Sequence, residues 1–240
     1  MPAPIARVST EIHTLAIRGQ AAELEELLDA KPYLVDLRDD EDYTPLHLAA
    51  MHGRISAIKT LLAYNADLNA RGVAFVPGQG LVLEAGYNAL EIAASFGQYK
   101  ARQFLRTQTR LKELHQWIQL GDLKKIETLL SSYPHLIRAR DLRKGTTHPS
   151  VLHIAVMAEQ KGVVEFLLKW RDNVNAKDNL GRTPLHWAVS QGSVRIVELL
   201  ATHGADFQVR TKSKQTALMM AEENGFRAVN RLLRKLGAKE

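Results

Sequence analysis

A seven-residue motif recurs along the chain, and its spacing limits what the chain can fold into. TPLHLAA at 44–50 returns as NALEIAA at 88–94, SVLHIAV at 150–156, TPLHWAV at 183–189 and TALMMAE at 216–222. The last three copies start 33 residues apart. Repeats of this length are small supersecondary units, which bury their apolar faces only by stacking on their neighbours. The sequence therefore predicts a stacked array of such units.

Each copy carries the signals of a helical hairpin. Thr44 followed by Pro45 begins a helix well, because Thr is a good N-cap and Pro at the first helical position loses no needed N–H. A Gly nine residues after the Thr position closes this short helix in four copies, and Glu159 replaces the Gly once. A Leu-Leu pair then follows about eight residues later, as at 61–62 and 199–200. The pattern predicts two short helices in each unit.

The motif, the Gly and the Leu pair together resemble the ankyrin repeat, whose period and T-P-L-H-x-A signature they match. Two weaker units fit the same offsets, and residues 11–39 match 113–141 at ten of 29 positions without a gap. We therefore expect an all-α ankyrin-repeat solenoid of about seven helical hairpins. Short β-hairpin connections, called fingers, join one helical hairpin to the next. The hairpins are expected to start near residues 10, 44, 88, 112, 150, 183 and 216.

The resemblance also implies a domain organisation. We expect one ankyrin-repeat domain over 1–240, made of half-arrays at about 9–108 and 109–240. The third and fourth units start only 24 residues apart, so the third lacks its connecting finger. We expect a kink or a tight junction between two helices near 105–112.

An apolar insertion at 71–87 interrupts the repeat. The interval carrying the finger is eight residues from Asn175 to Thr183 but nineteen from Asn69 to Asn88. The added residues read VAFV, PGQG and LVLE, and this pattern of two β-prone runs around a turn predicts a β-hairpin. The hairpin could fold back onto the array, pair with adjacent fingers, or await a partner. We favour the last, because exposed apolar patches usually mark binding sites.

The sequence contains no recognisable catalytic or metal-binding motif. H-E-x-x-H, G-x-S-x-G and the Gly-rich phosphate loop are missing, and the chain has no cysteine. Five of the nine histidines occupy the fourth position of the motif, where the resemblance implies a structural hydrogen-bonding role: His13, His47, His115, His153 and His186. We expect a non-enzyme with no catalytic residue, no cofactor and no metal.

Charge and hydropathy narrow the classes of partner. The net charge of +6 favours acidic partners, and basic runs occur at 100–112 and 207–240. Polyanion or nucleic-acid binding through these runs is the alternative function. It is disfavoured because the aromatic residues do not interleave with the basic ones. No apolar run is long enough to span a membrane. The start is not a signal peptide as it stands, so the compartment is left open: cytoplasmic by default, periplasmic or secreted if a signal was removed.

The resemblance implies a protein–protein interaction module. Such a module binds through its finger tips and through the end of the first helix of each repeat, which is called the inner helix. Carried onto this sequence, the finger-tip residues are Asp42, Tyr43, Phe75, Val76, Gln79, Leu81, Arg143, Lys144, His148, Asn179, Leu180 and Arg182, with Lys212 and Lys214. The inner-helix residues are Met51, His52, Ser95, Phe96, Ser190 and Gln191, with Glu223 and Asn224. Proteins of this kind include enzyme inhibitors and bacterial self-protection proteins. We therefore expect a chain that is monomeric when free and that binds one protein and occludes its active or binding surface.

Overall fold

A computed structural model of the chain describes residues 4–76, 80–140, 142–144, 146–170 and 173–239. In these residues nearly all of the regular secondary structure is helical, which confirms the expected all-α solenoid. The α-helices are α1 (Pro4–Arg18), α2 (Ala21–Ala30), α3 (Pro45–Met51), α4 (Ile55–Ala63), α5 (Ala89–Ser95), α6 (Tyr99–Leu120), α7 (Leu123–Ser132), α8 (Val151–Met157), α9 (Lys161–Lys169), α10 (Pro184–Ser190), α11 (Val194–Thr202), α12 (Ala217–Glu223) and α13 (Arg227–Lys235). Short 3-10 helices occur at Pro32–Leu34 and Pro134–Arg138.

The predicted N-caps begin the inner helices of the strong units. The Oγ1 of Thr44 accepts the His47 N–H at 3.4 Å, and the His47 Nδ1 accepts the Thr44 N–H at 3.0 Å. Asn88 and Glu91 exchange the equivalent pair of bonds at 3.0 and 2.9 Å. Each pair is a capping box, and in the first of them a histidine does what Glu or Gln usually does. Such a cap contributes about 1 kcal/mol to helix stability.

The inner helices end at a residue with positive φ. Gly53 and Gly192 have φ of 65° and 69°, as the pattern predicts. Glu159 occupies the same position after α8 and adopts φ of 53° although it carries a side chain. Because the left-handed region costs an L-residue about 1–2 kcal/mol, the repeat geometry imposes this conformation against the local preference of the residue.

The two repeats whose sequences match the motif weakly, expected to start near residues 10 and 112, differ from the prediction. The first helix begins at Pro4 rather than near residue 10, so Thr10 lies inside α1. Lys112 lies inside α6, which runs without interruption from Tyr99 to Leu120. The expected junction between two helices at 105–112 is therefore wrong. Residues 99–120 contain no Pro or Gly and many strong helix formers, so nothing ends the helix once the finger is missing.

Backbone contacts divide the chain into two compact units. The N-terminal unit comprises Met1–Thr109 and Leu142–Gly145, and the C-terminal unit comprises Arg110–Asp141 and Thr146–Glu240. The two half-arrays predicted from the sequence did not group residues 142–145 with the N-terminal residues. The boundary between the half-arrays stays a prediction.

Each unit has its own apolar core between its stacked helices. Leu24, Leu46, Ile58 and Leu61 are fully buried in the N-terminal unit, and the equivalent core of the C-terminal unit includes Leu114, Ile126, Leu152, Val164 and Leu185. Burying such a side chain contributes about 1.5–3 kcal/mol, so the stacked helices supply what one hairpin alone cannot. None of the helices in the described segments is long and apolar enough to cross a membrane.

Residues 72–76 and 80–87 form a two-stranded antiparallel sheet in the N-terminal unit. Strand β1 (Gly72–Val76) pairs with β2 (Gly80–Tyr87), with Phe75 opposite Leu81 and Val76 opposite Gly80. The register is irregular between Gly72 and Ala74. Gln79, one of the predicted contact residues, lies outside the described residues.

Candidate partner-binding site

A second apolar cluster in the N-terminal unit is separate from its main core. Its buried members are Tyr43, Leu48 and Ile92, and its partly buried members are Ile17, Met51, Tyr87 and Phe96. We call these seven residues the inner-face cluster. They come from the inner helices α1, α3 and α5, the first finger and the end of β2. Three of the predicted contact residues, Tyr43, Met51 and Phe96, are thus brought together.

The structure places Tyr43 deeper than the sequence suggested. It was expected at an exposed finger tip, but only 8% of the residue is exposed, and its ring meets the His47 ring edge-on at 6.1 Å. The reason lies in Asp39, whose Oδ1 accepts the Tyr43 N–H at 2.7 Å and the Glu41 N–H at 3.2 Å. These bonds close the finger turn and direct Tyr43 under it. Tyr43 supports the cluster from below, and Met51 and Phe96 form its more accessible part.

Polar residues surround the inner-face cluster. His52 and Ser95 are exposed at the ends of α3 and α5. Asp42 is exposed on the finger and pairs with Arg38 at 2.8 Å. The Arg54 Nε donates to the Ile17 carbonyl at 2.8 Å. An apolar centre with a polar rim is the usual composition of a protein–protein interface.

The hairpin is fixed at its root, beside this cluster. The His47 Nε2 donates to the Ala70 carbonyl at 2.8 Å, and Arg38 donates to the Arg71 carbonyl at 2.8 Å. Arg71 in turn donates to the Gly86 carbonyl at 3.0 Å and so joins the two strands. Gly86 has φ of 45°, and a Cβ there would overlap the carbonyl oxygen of Gly72. These contacts hold the ends of the hairpin without depending on its tip.

The predicted contact residues of the C-terminal unit lie along its fingers and inner helices. Asn179 and Leu180 are exposed on a finger, and His148 contacts the side chain of Asn179. Ser190 and Gln191 are exposed at the end of α10, where the Gln191 Nε2 donates to the Met157 carbonyl at 2.9 Å. Apart from Leu180, these residues form a polar surface, and in this they differ from the inner-face cluster.

Arg182 is held by a carboxylate that sequence reasoning missed. Its Nε donates to the Asp178 Oδ2 at 3.0 Å, and its guanidinium lies 4.8 Å from the centre of the Trp187 ring. The Trp187 indole N–H also donates to Asp178, at 3.1 Å. Although burial raises the pKa of Asp178, hydrogen bonds from the Arg182 backbone and side chain and from Trp187 outweigh it and lower the pKa. The carboxylate therefore stays ionised and orients both side chains.

Asp39 and Asp178 occupy equivalent positions, and the sequence did contain a signal for them. Each lies five residues before the Thr that caps the next helix, Thr44 or Thr183. Each accepts backbone N–H bonds that close its finger turn, with Asp178 Oδ1 accepting from Leu180 at 2.9 Å. Asp side chains commonly bond to N–H groups a few residues ahead in turns. The shared spacing could have identified both.

Arg143 is exposed, but Lys144 lies against helices of the N-terminal unit. The Lys144 Nζ contacts the Asp29 Oδ1 at 2.5 Å and the Glu25 Oε1 at 3.3 Å. It also lies 4.7 Å from the centre of the Tyr64 ring. The hydrogen bonds that Lys144 donates to Asp29 and Tyr64 raise its pKa above its usual range. Lys144 therefore joins loop 142–144 to α2 and to the end of α4.

The motif histidines whose hydrogen bonds the structure describes have the structural hydrogen-bonding role that the resemblance implied. His153 is fully buried, its Nδ1 lies 2.7 Å from the Ser150 Oγ, and its Nε2 donates to the Arg182 carbonyl at 3.0 Å. His13 reaches the Leu37 carbonyl at 3.0 Å in the same way. Burial lowers the pKa of His153 to about 4 and lowers the pKa of His47 and His186 as well. These rings connect a helix start to the next finger.

The described residues give little support for metal binding or for polyanion binding. Over the segments that the structure describes, no group of three or more His, Asp or Glu side chains could hold a metal ion. Part of the positive charge in the two basic runs is matched internally. Arg110 pairs with Glu113 at 2.7 Å and lies 5.5 Å from the Tyr133 ring centre, and Arg234 pairs with Glu222 at 2.5 Å. These contacts weaken the case for polyanion binding.

Comparison with known proteins identifies the repeats. The family model for ankyrin repeats (3 copies) matches residues 12–112, 114–211 and 152–239. The palmitoyltransferase AKR1 of Saccharomyces cerevisiae is 26% identical over 219 residues, which is 89% of this chain and 28% of that protein. Human inversin is 26% identical over 193 residues, 76% of this chain and 17% of inversin. The putative ankyrin repeat protein FPV219 of Fowlpox virus is 42% identical over 71 residues, 30% of this chain and 16% of FPV219.

The chain spans less than a third of the length of each of these relatives. Palmitoyl transfer is the activity named for one whole relative, and the match covers 28% of it. The ankyrin repeat itself is a non-catalytic fold that binds other proteins, so the family match indicates a protein–protein interaction module. Because the family model matches nearly the whole sequence, this chain belongs to the ankyrin repeat family.

Proposed function

We propose that this chain binds one partner protein through the inner-face cluster and the adjoining hairpin, and that it inhibits the partner by covering its active or binding surface. The observation that carries the proposal is the inner-face cluster itself. It is an apolar cluster outside the main core, with Met51 and Phe96 only partly covered. An apolar cluster that the fold leaves partly exposed is typical of a binding site.

The cluster also has the composition of an interface centre. Tyr and Phe supply large contact areas, and Met adapts its shape to a partner. Tyr43 and Leu48, which are 8% and 7% exposed, hold the more accessible residues from below. A surface fixed in this way loses little conformational entropy on binding, which favours affinity.

The hairpin supports inhibition in particular. Residues 72–87 extend the finger between the second and third units, and their root is held by bonds from Arg38, His47 and Arg71. The sequence at its centre, VAFVPGQGLVL, carries no charge. An apolar element mounted on a fixed root suits insertion into an apolar cleft of a partner, which would exclude that partner's substrate or ligand.

The proposal is tested by capture from a lysate of the native host, with the recovered protein identified, purified and measured directly. Three variants are compared with the wild type: residues 73–84 replaced by a short turn, Met51→Ser with Phe96→Ser, and a control pair, Leu123→Ser with Val194→Ser. The control residues are apolar and more exposed than Met51 and Phe96, and they begin α7 and α11, the second (outer) helices of their repeats. Circular dichroism establishes that each variant is folded.

We expect the first two variants to bind at least about 30-fold more weakly, because interface centres contain residues worth about 2 kcal/mol or more. The control pair is expected to bind like the wild type. If the partner is an enzyme, its activity should fall in proportion to the complex formed. Unchanged binding by the Met51/Phe96 variant contradicts the proposed site, and full activity of a saturated enzyme contradicts inhibition. Light scattering of the free protein tests the expectation that it is a monomer.

A further inference from the structure

Two fingers of the C-terminal unit form an edge of positive charge. In segments 174–183 and 207–216 the side chains of Lys177, Arg210, Lys212 and Lys214 are exposed. We call these four residues the basic finger edge. Asp178 is the single acidic residue within these two segments, and its side chain is fully buried. The edge therefore presents cations to solvent without an exposed carboxylate inside these two segments, and exposed Asp206 directly precedes the second segment.

The charge of Asp178 does not offset this edge. Its Oδ1 accepts N–H bonds from Leu180 and Arg182 at 2.9 and 2.8 Å, and its Oδ2 accepts from the Arg182 Nε and the Trp187 Nε1. Its negative charge is therefore matched by Arg182, in the interior of the finger. Of the carboxylates of α12, Glu222 pairs with Arg234, whereas exposed Glu223 accepts from the neutral Gln215 Nε2 at 2.5 Å and keeps its charge.

The two fingers are joined and their turns are fixed. The Lys212 N–H donates to the Leu180 carbonyl at 2.8 Å, so the tips of the two fingers are adjacent. Arg210 donates to the Lys214 carbonyl at 2.8 Å, and the Lys214 N–H donates to the Thr211 carbonyl at 2.9 Å. The backbone that carries these cations is thus held by hydrogen bonds, which reduces the entropy lost when a ligand binds.

An apolar side chain lies at the same place. Leu180 is 47% exposed at the finger tip whose carbonyl accepts the Lys212 N–H. Nearby aromatic rings are not available for stacking, because Phe207 packs on the core and Trp187 lies under the Arg182 guanidinium. Binding of single-stranded nucleic acid relies on aromatic side chains that stack on bases. The edge therefore matches carboxylates and an aliphatic side chain better than nucleotides.

We infer that the basic finger edge and Leu180 together bind an acidic segment of the partner protein, one that carries an apolar side chain among its Asp and Glu residues. The inference rests on the proposed function and adds a second contact to it, in the other unit. Complementary charge of this kind mainly speeds association and selects the partner.

The test uses the full chain and a fluorescent synthetic peptide of Asp and Glu with one central Leu, followed by anisotropy at low and at physiological salt. The edge variant is Lys177→Glu, Lys212→Glu and Lys214→Glu. The matched control is Lys124→Glu, Lys161→Glu and Lys235→Glu, which changes the net charge equally at exposed positions of the outer helices α7, α9 and α13. A Leu→Ser version of the peptide tests the apolar contact, and an oligothymidylate of similar charge tests nucleic acid.

We expect the edge variant to bind the peptide at least about tenfold more weakly and the control variant to bind like the wild type, with affinity falling as salt rises. The Leu→Ser peptide should bind more weakly than the parent. No binding by the wild type, or equal losses in both triple variants, overturns the inference. Binding of the oligothymidylate as tight as that of the peptide, with the same sensitivity to the edge variant, overturns it in favour of a polyanion. The proposed function is judged separately by the Met51 and Phe96 variant, so either can fail alone.

Discussion

The buried histidine of α8 makes the stability of the C-terminal unit depend on pH. The His153 Nδ1 accepts the Ser150 N–H at 3.2 Å, so the bonds assign the neutral tautomer with its proton on Nε2. A second proton on Nδ1 would oppose the Ser150 N–H inside a fully buried site. Burial accordingly lowers the pKa of His153 to about 4 in the folded chain, against 6.5 ordinarily.

The direction and size of the effect follow from this difference. The unfolded chain takes up the proton as pH falls below about 6.5, whereas the folded chain resists it down to about 4, so stability is present at neutral pH and is lost as pH falls. At about 1.4 kcal/mol for each pH unit, His153 alone should cost about 2 kcal/mol between pH 7 and about pH 5, and about 3 kcal/mol by about pH 4. His47 and His186 act in the same direction.

The assay is urea unfolding at pH 7 and at about pH 5, followed by tryptophan fluorescence. The three tryptophans, Trp117, Trp170 and Trp187, all belong to the C-terminal unit, as does His153. The variant is His153→Gln, because Gln can still accept the N-cap N–H but does not titrate. The control is His52→Gln, at an exposed histidine.

We expect the wild type and the His52→Gln control to lose about 2 kcal/mol more than His153→Gln between the two pH values. Asp178 does not add to this loss of stability. Because its folded pKa is lowered, the stability that its carboxylate contributes is lost only as pH falls through that lowered value. Equal losses in all three proteins would refute the reasoning. So would an NMR titration in which His153 takes up its proton near pH 6.5.

Three further predictions concern single residues. Glu159→Gly should raise the free energy of unfolding by about 0.5–1 kcal/mol, because the position has φ of 53°, while Glu198→Gly inside α11 should lower it by about the same amount; both are read from urea midpoints. Gly86→Ala should speed amide exchange in the strands Gly72–Val76 and Gly80–Tyr87, because its Cβ would overlap the Gly72 carbonyl, whereas Gly204→Ala, at positive φ in open space, should leave that exchange unchanged. Asp178→Asn should cost about 2–4 kcal/mol in urea unfolding and release Trp187, since it removes a buried charge that four donors share; a loss below the error of the measurement contradicts the assigned role.

Much of the fold could be predicted because its signals are local. Thr44, Pro45 and Gly53 lie within ten residues of one another and fix the start and end of one helix. The weak units show the converse. Residues 99–120 lack a helix-ending residue, and the repeat pattern alone suggested a boundary at Lys112 that the backbone does not have. A pattern of apolar spacing indicates which face is buried, but only capping and breaking residues set where a helix ends.

The candidate site could be predicted less well, because it depends on contacts between residues distant in sequence. The repeat offsets correctly suggested Met51 and Phe96 as neighbours, since they lie seven and eight residues after the motif starts, Thr44 and Asn88, of adjacent repeats. The offsets could not place Lys144, whose partners Glu25 and Asp29 are more than a hundred residues away. They also could not show that Asp39 turns Tyr43 inward.

The repeat fixes the backbone, but a few variable positions decide what each unit can bind. The fifth position of the motif is Leu48 or Ile92 in the N-terminal unit, where both belong to the inner-face cluster with Met51 and Phe96. In the C-terminal unit the same position is Ile154, Trp187 or Met220, and Arg182 covers the Trp187 ring while Gln191 follows at the helix end. One backbone geometry thus presents different side chains at the same position of different repeats. Because caps and glycines are nearly the same in both units, they indicate the fold, whereas the chemistry of recognition lies in the positions that the repeat leaves free.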